Sequence, residues 1–221
     1  MTHQFDDELQ GLKQKLLRMS GMVEQSISMS AHSLLDKNEA LARKTIDLDH
    51  EIDLCEIEID EVCLRLLALY QPVAIDLRFI ASAMGINKEL ERMGDLAVNV
   101  AERALYLIPR PDIRCGIDIK RMSDFAQKMV RESLDALVRA DSQAARDICR
   151  QDDILDDMNR QALTTLADHM EKHPEDVKRA VHLLLITRHL ERIGDLATNI
   201  AEDIVYMVEG KSIKHHIEDY R

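Results

Sequence analysis

The sequence contains few of the residues that form sharp turns or aromatic cores. Its 221 residues include 7 glycines, 4 prolines and no tryptophan, and aromatic residues make up 3% of the chain. Because 46% of the residues are apolar, the interior must consist mainly of Leu, Ile, Val, Met and Ala. A chain with so few helix-breaking residues is expected to form long α-helices.

Cysteines and long apolar runs are also too few for several classes of protein. The four cysteines form no C-x-x-C pair, so the sequence indicates neither a disulfide framework nor a thiolate zinc site. No run of about 18 apolar residues is present, as a membrane-spanning helix would require. The first ten residues, "MTHQFDDELQ", lack the apolar segment of a signal peptide. We therefore expect a cytoplasmic protein.

Positive charge is scarce relative to negative charge. The chain has 41 acidic and 29 basic residues, and its formal net charge is −12. Such a surface repels phosphate backbones, which argues against general nucleic-acid binding. An excess of carboxylates suits cations or basic protein partners instead.

Apolar periodicity predicts three helices in the first half of the chain. Residues from Phe5 to Leu34 recur at steps of three and four, as on the buried face of an amphipathic helix. The polar segment Asp36–Asn38 offers a cap for a second helix, which ends near Tyr70 because Pro72 follows. A third helix then covers roughly residues 75–108.

The segment "PRPDIRCG" is a predicted linker, and the helical pattern starts again after it. Helices are predicted at about 118–140 and at about 175–209. Between them, another helix begins after a break at "ADS" and ends near Lys172. Gly210 is placed to end the last helix.

One helical segment occurs twice. "ELERMGDLAVNVAE", residues 89–102, returns as "HLERIGDLATNIAE", residues 189–202, and 11 of 20 positions are identical between 89–108 and 189–208. Upstream, "DHEID" and "DDILD" correspond at an offset of 103. The period is too long for a solenoid. We therefore predict an all-α fold of two pseudo-symmetric antiparallel three-helix bundles with six long helices, divided into residues 1–108, a linker at 109–117, residues 118–210 and a tail at 211–221.

The repeated segments carry acidic and amide side chains spaced four residues apart, which places them on one face of a helix. The candidate metal ligands are Asp49, Asp53, Glu91, Asp95 and Asn99 in the first half, and Asp152, Asp156, Glu191, Asp195 and Asn199 in the second. Glu102 and Glu202 extend the same faces.

Chance alone accounts for roughly seven acid pairs at this spacing, given the acidic content. The candidate pairs differ from such background because they occupy matching places in both halves. Consecutive helices in a bundle are antiparallel, so the paired acids of neighbouring helices can face one another. Carboxylates gathered in this way repel unless a cation neutralises them. Oxygen ligands favour hard cations such as Mg²⁺, Mn²⁺ or iron.

Gly94 and Gly194 lie inside these helices, where glycine costs about 1 kcal/mol relative to alanine. Two explanations remain open from the sequence: close approach of a ligand cluster, or tight packing between helices. Both can hold at once.

Known catalytic motifs are missing. The sequence contains no Glu-x-x-His, no H-E-x-x-H, no P-loop and no G-x-S-x-G. The sequence therefore contains no feature that indicates an enzyme. A carboxylate-bridged metalloenzyme and a structural helical spacer without metal remain alternatives to a metal-binding regulatory adaptor.

The doubled "LERxGDLAxNxAE", the segment "QPVAIDLR" and the entry "QFDDELQGLKQKLLRMSGMVEQSI" together resemble the PhoU family over essentially the whole chain. The resemblance implies a cytoplasmic negative regulator of phosphate uptake and of the phosphate-starvation response. Its implied partners are the ATPase of the phosphate ABC transporter and a sensor histidine kinase, through which it would lie at the membrane. It further implies a homodimer, and iron or zinc clusters on the paired (Glu/Asp)-x-x-x-Asp motifs. Tyr70 replaces the basic residue that tends to precede "QP" in this family, and "DVK" replaces the second "DLR".

Overall fold

The computed structural model describes residues 2–113 and 115–214, and the predicted tail lies outside the described residues from position 215 onward. All regular structure in this part of the chain is helical, so the all-α prediction is confirmed. The helices are α1 (Thr2–Leu35), α2 (Glu39–Tyr70), α3 (Ala74–Leu107), α4 (Ile119–Arg139), α5 (Ser142–Cys149), α6 (Asp152–Lys172) and α7 (Val177–Glu209), with one 3₁₀ turn at Pro174–Asp176.

Short polar side chains fix where several helices begin and end. Asn38 accepts a hydrogen bond from the backbone N–H of Leu41 and caps α2, and Asp118 caps α4 by accepting one from Arg121. Gly210 ends α7 with φ of 70°, a left-handed conformation that glycine adopts without steric cost. The predicted stop at Gly210 is therefore observed.

The fifth predicted helix is interrupted. Arg150 and Gln151 separate α5 from α6, although neither residue breaks helices by itself. The Gln151 side chain donates hydrogen bonds to Glu132 Oε2 at 3.0 Å and to the carbonyl of Asp147 at 3.4 Å. These bonds hold the turn while Ile148 of α5 and Leu155 of α6 both stay buried.

Two helical groups, one of three helices and one of four, share one continuous core. Helices α1, α2 and α3 pack together, α4, α5 and α6 pack around α7, and the groups meet where α3 lies against α7 and α1 against α4. Helices α3 and α7 are antiparallel, because the Tyr106 ring stacks on His182 while Arg78 donates to the carbonyl of Met207. Buried aliphatic residues of both halves belong to one cluster, and each large side chain contributes about 1.5–3 kcal/mol through burial.

Cys55 and Cys63 are buried, and the four cysteines are unbridged. Within the described residues, no helix combines the length and the apolar character needed to cross a membrane.

Candidate metal centre

The first group of acids lies where α2 packs against α3. Asp49 and Asp53 are on α2, and Glu91 and Asp95 are on α3. Burial, followed by the charges of Asp53 and Asp95, raises the pKa of Asp49 to about 6. The acids of the two helices therefore face one another closely enough to repel.

The two acids on α3 are perturbed in the same direction. Burial raises the pKa of Glu91, and the charge of Asp95 adds to the effect. Burial also raises the pKa of Asp95, with Asp53 across the helix interface as the next cause. Every cause of these shifts disfavours the ionised form of the carboxyl groups. A bound cation has the opposite effect, because it stabilises the ionised form.

The second group, between α6 and α7, is tighter. Asp156, Glu191 and Asp195 each place one carboxylate oxygen within 4.8 Å of the others. Across residues 2–113 and 115–214, no other three Asp, Glu, His or Cys side chains bring ligand atoms so close. Burial and the charges of Glu191 and Asp152 raise the pKa of Asp195 to about 7.

Asp152 lies beside this trio and is oriented by α7. The Thr198 hydroxyl lies 3.3 Å from Asp152 Oδ1 and donates a hydrogen bond to it. Burial and the charge of Asp156 raise the pKa of Asp152, while the Thr198 bond opposes them. The four acids predicted in the second half are thus gathered in one place.

The two candidate asparagines are placed less directly. The amide nitrogen of Asn99 donates to the carbonyl of Asp95 at 2.8 Å, so this group bonds its own helix. Asn199 lies partly buried on α7. The structure therefore groups the carboxylates more clearly than the amides.

The repeated glycines let the helices approach closely. A Cβ atom on Gly94 would lie 3.3 Å from both Asp49 Oδ1 and Ile52 Cδ1. A Cβ atom on Gly194 would lie 2.6 Å from Leu155 Cδ2. Ile52 and Leu155 are equivalent at the offset of 103 found in the sequence. Tight helix packing therefore accounts for both glycines, and at Gly94 a candidate ligand also occupies the space.

The sequence patterns missed an extension of the first group. Glu56 and Asp60 continue the face of Asp49 and Asp53, and the charges of Asp60 and Asp53 help burial to raise the pKa of Glu56. Asn87, fully buried on α3, donates to the Glu56 carbonyl and to Asp60 Oδ1, each at 3.0 Å. The spacing of three and four residues was visible in the sequence.

The second half lacks this extension. Asn159 and Leu163 occupy the positions equivalent to Glu56 and Asp60. Asn159 forms a side-chain hydrogen bond with Glu191, which lowers the pKa of Glu191 against the larger effect of burial. The two centres therefore have related but unequal surroundings.

The donor set suits hard cations. Carboxylate oxygens from two helices, supported by hydroxyl and amide groups, match the ligands of Mg²⁺, Mn²⁺ and iron, and zinc also binds carboxylates. An ion among Asp156, Glu191 and Asp195 would offset the repulsion that helps to raise the pKa values of Glu191 and Asp195.

Comparison with known proteins identifies the family. The profile of the PhoU domain matches the chain twice, at residues 16–104 and 119–204. The chain belongs to the PhoU family. The first match contains the acids on α2 and α3, and the second contains those on α6 and α7.

Similar PhoU proteins extend over nearly the whole chain. The phosphate-specific transport system accessory protein PhoU homolog of Aquifex aeolicus is 38% identical over 213 residues, 96% of each protein. The homolog of Pseudomonas aeruginosa is 37% identical and covers 97% of this chain and 89% of its own length.

Two solved PhoU structures share the fold. The crystal structure of PhoU from Pseudomonas aeruginosa superposes with a TM-score of 0.91 at 37% identity, over 94% of this chain and all of that one. The phosphate transport system regulatory protein PhoU from Streptococcus pneumoniae gives a TM-score of 0.86 at 30% identity, over 95% and 99% of the two chains.

Proposed function

We propose that this protein is a cytoplasmic negative regulator of phosphate uptake and of the phosphate-starvation response. In this role it links the ATPase of a phosphate ABC transporter to a sensor histidine kinase and acts without catalysis, as a homodimer. The observation that carries the proposal is membership of the PhoU family over nearly the full chain, with relatives named as accessory proteins of phosphate-specific transport.

Metal ions are the second part of the proposal. In the first half, Asp49, Asp53, Glu91 and Asp95 supply the ligands, and in the second half Asp152, Asp156, Glu191 and Asp195 do so. The support is the convergence of these acids at two helix interfaces, where burial and neighbouring carboxylates raise the pKa values of Asp49 and Asp195. Bound ions hold α2 against α3 and α6 against α7, which fixes the helix faces that partners contact.

Deletion of the gene tests the regulatory role. We expect phosphate-starvation genes to be expressed in phosphate-rich medium when the protein is absent, because the restraint on signalling is lost. Transcript levels measure the effect, and a plasmid copy of the intact gene should restore repression. Unchanged transcripts after deletion would contradict the regulatory proposal.

Metal content tests the ligand assignment. We expect Glu191→Gln with Asp195→Asn to weaken metal binding in the second half by about a hundredfold, since the variants remove two charged ligands while preserving side-chain size. Elemental analysis of protein purified without added metal measures occupancy. Asp168→Asn with Glu171→Gln, a double change at exposed positions near the end of α6 that removes the same charge, is the matched control. Equal metal content in all three proteins would exclude this centre.

A further inference from the structure

The antiparallel pair α3–α7 has two edges with opposite charge. One edge, named here the cationic edge, consists of Arg103 on α3 with His182 and His189 on α7. The other, the acidic edge, consists of Asp203 on α7 with Glu89 and Ser82 on α3. The members correspond at the offset of 100 residues that relates the two halves: Arg103 is equivalent to Asp203, His189 to Glu89 and His182 to the uncharged Ser82.

The acidic edge is neutralised within the chain. Lys214, which follows α7, places its Nζ 2.7 Å from Asp203 Oδ1. Ser82 Oγ donates to the Asp203 carbonyl at 3.3 Å. Glu89 in turn pairs with Arg92 at 3.3 Å. The acidic side chains of this edge therefore have basic partners from the same chain.

The cationic edge has more buried polar atoms without hydrogen-bond partners than the acidic edge has. Arg103 Nε, His182 Nδ1 and His189 Nδ1 are buried, and none has a hydrogen-bond partner within the described chain; on the acidic edge the same is true of one atom, Glu89 Oε2. The acid paired with Arg103 is Glu102, whose Oε2 lies 3.7 Å from Arg103 Nη2 on a side chain that is 53% exposed. Such a pair at the surface contributes little.

Further positive charge surrounds these side chains. Burial, followed by the charges of Arg103 and Arg110, lowers the pKa of His182 below its ordinary value. The Arg110 guanidinium lies 3.7 Å from the centroid of the Tyr106 ring, which itself stacks on His182. Arg188 and Arg192 add positive charge near His189. The local potential therefore favours an anion.

We propose that the cationic edge binds a compact oxyanion of the phosphoryl class, held by Arg103 together with His182 and His189. Three side chains from two helices supply the polar nitrogens, which suits a tetrahedral anion with three or more oxygens better than a carboxylate with two. A guanidinium also matches phosphate geometry and can bond two of its oxygens. The occupant is inorganic phosphate or a phosphomonoester, and it replaces the counter-charge that Lys214 supplies at the other edge. The proposal does not depend on the metal centres.

Calorimetric titration of the full-length protein with inorganic phosphate tests this site. Treatment with a chelator beforehand removes binding through metal ions. We expect Arg103→Gln to weaken phosphate binding by about tenfold to a hundredfold, because a hydrogen-bonded charge is lost. Lys214→Gln, which removes the same charge from the acidic edge, should leave the affinity unchanged.

A second variant, together with a measurement of helicity, separates loss of the binding site from loss of the fold. His182→Gln keeps an amide near the site and should also weaken phosphate binding, while circular dichroism confirms that both variants remain helical. Titration with phosphoserine distinguishes the source: tighter binding than inorganic phosphate indicates a phosphorylated partner, and weaker binding indicates the free ion. Absence of binding to the unaltered protein at millimolar phosphate, or the same affinity in Arg103→Gln, would overturn the proposal.

Discussion

Metal-free protein should lose about 2 kcal/mol of unfolding free energy between about pH 5 and about pH 8, and a bound divalent cation should reverse the loss. The expected cause is the ionisation of Asp195 and Asp49, whose pKa values are raised to about 7 and about 6. For a chain of this size, the loss lowers the melting temperature by about 4–8 °C.

The sign follows from proton binding. In the unfolded chain both aspartates ionise near pH 4, whereas in the folded protein they hold their protons to higher pH. Between these values the folded state binds more protons, so stability falls as pH rises through the folded pKa values. A tenfold change in proton affinity corresponds to about 1.4 kcal/mol, and partial exposure of both groups reduces the total by about half.

Metal should act in the opposite direction at high pH. A cation at about a hundred times its dissociation constant adds about 2.7 kcal/mol for each centre that it fills. Thermal melts at both pH values, with chelator and with added Mn²⁺, measure the effect. Asp195→Asn removes the charge that is most disfavoured, so it should flatten the pH dependence of the metal-free protein and reduce the effect of metal. A metal-free protein whose stability is constant or rises from pH 5 to pH 8 would contradict the electrostatic account.

Replacement of Gly194 by leucine should lower the free energy of unfolding by about 3 kcal/mol. A first side-chain atom at this position already falls 2.6 Å from Leu155 Cδ2 and 3.5 Å from Met129 Sδ. Both neighbours are almost completely buried, at 1% and 0% exposure, so their side chains have little space to move and we expect the added side chain to displace α6 from α7. That displacement also separates Asp156 from Glu191 and Asp195.

Gly21→Leu is the matched control for this variant. Gly21 also lies inside a long helix, but no atom lies within 4 Å of a Cβ atom built there. Leucine favours helices over glycine by roughly 0.5–1 kcal/mol, so this variant should be as stable as the original protein or more stable. Chemical denaturation measures both changes. Similar effects at Gly194 and Gly21 would show that close packing does not explain the repeated glycine.

Much of the candidate centre was predictable because the sequence repeats itself. An isolated acid pair has little meaning in so acidic a chain, but matching pairs in both halves predicted that the acids of neighbouring helices face one another. The sequence did not predict that the carboxylate oxygens of the second centre lie closer together than those of the first. This difference depends on side-chain conformations and on hydrogen bonds from Thr198 and Asn159 that no spacing in the sequence specifies.

The interruption between α5 and α6 was missed for a related reason. Sequence signals for helix ends come mainly from glycine, proline and capping residues, and "ICRQDD" contains neither glycine nor proline. The turn depends on the bond from Gln151 to Glu132 on α4, a contact between residues far apart in sequence. Tertiary contacts therefore overrode local helix propensity at Arg150 and Gln151.

The antiparallel pairing of α3 with α7 also makes each half of the chain depend on the other. A single three-helix unit would leave this face of its third helix uncovered. A symmetric pair must carry the same side chains at both ends of such a contact. A single chain is free of that constraint, and the two ends of this contact carry Arg103 on one side and Asp203 on the other.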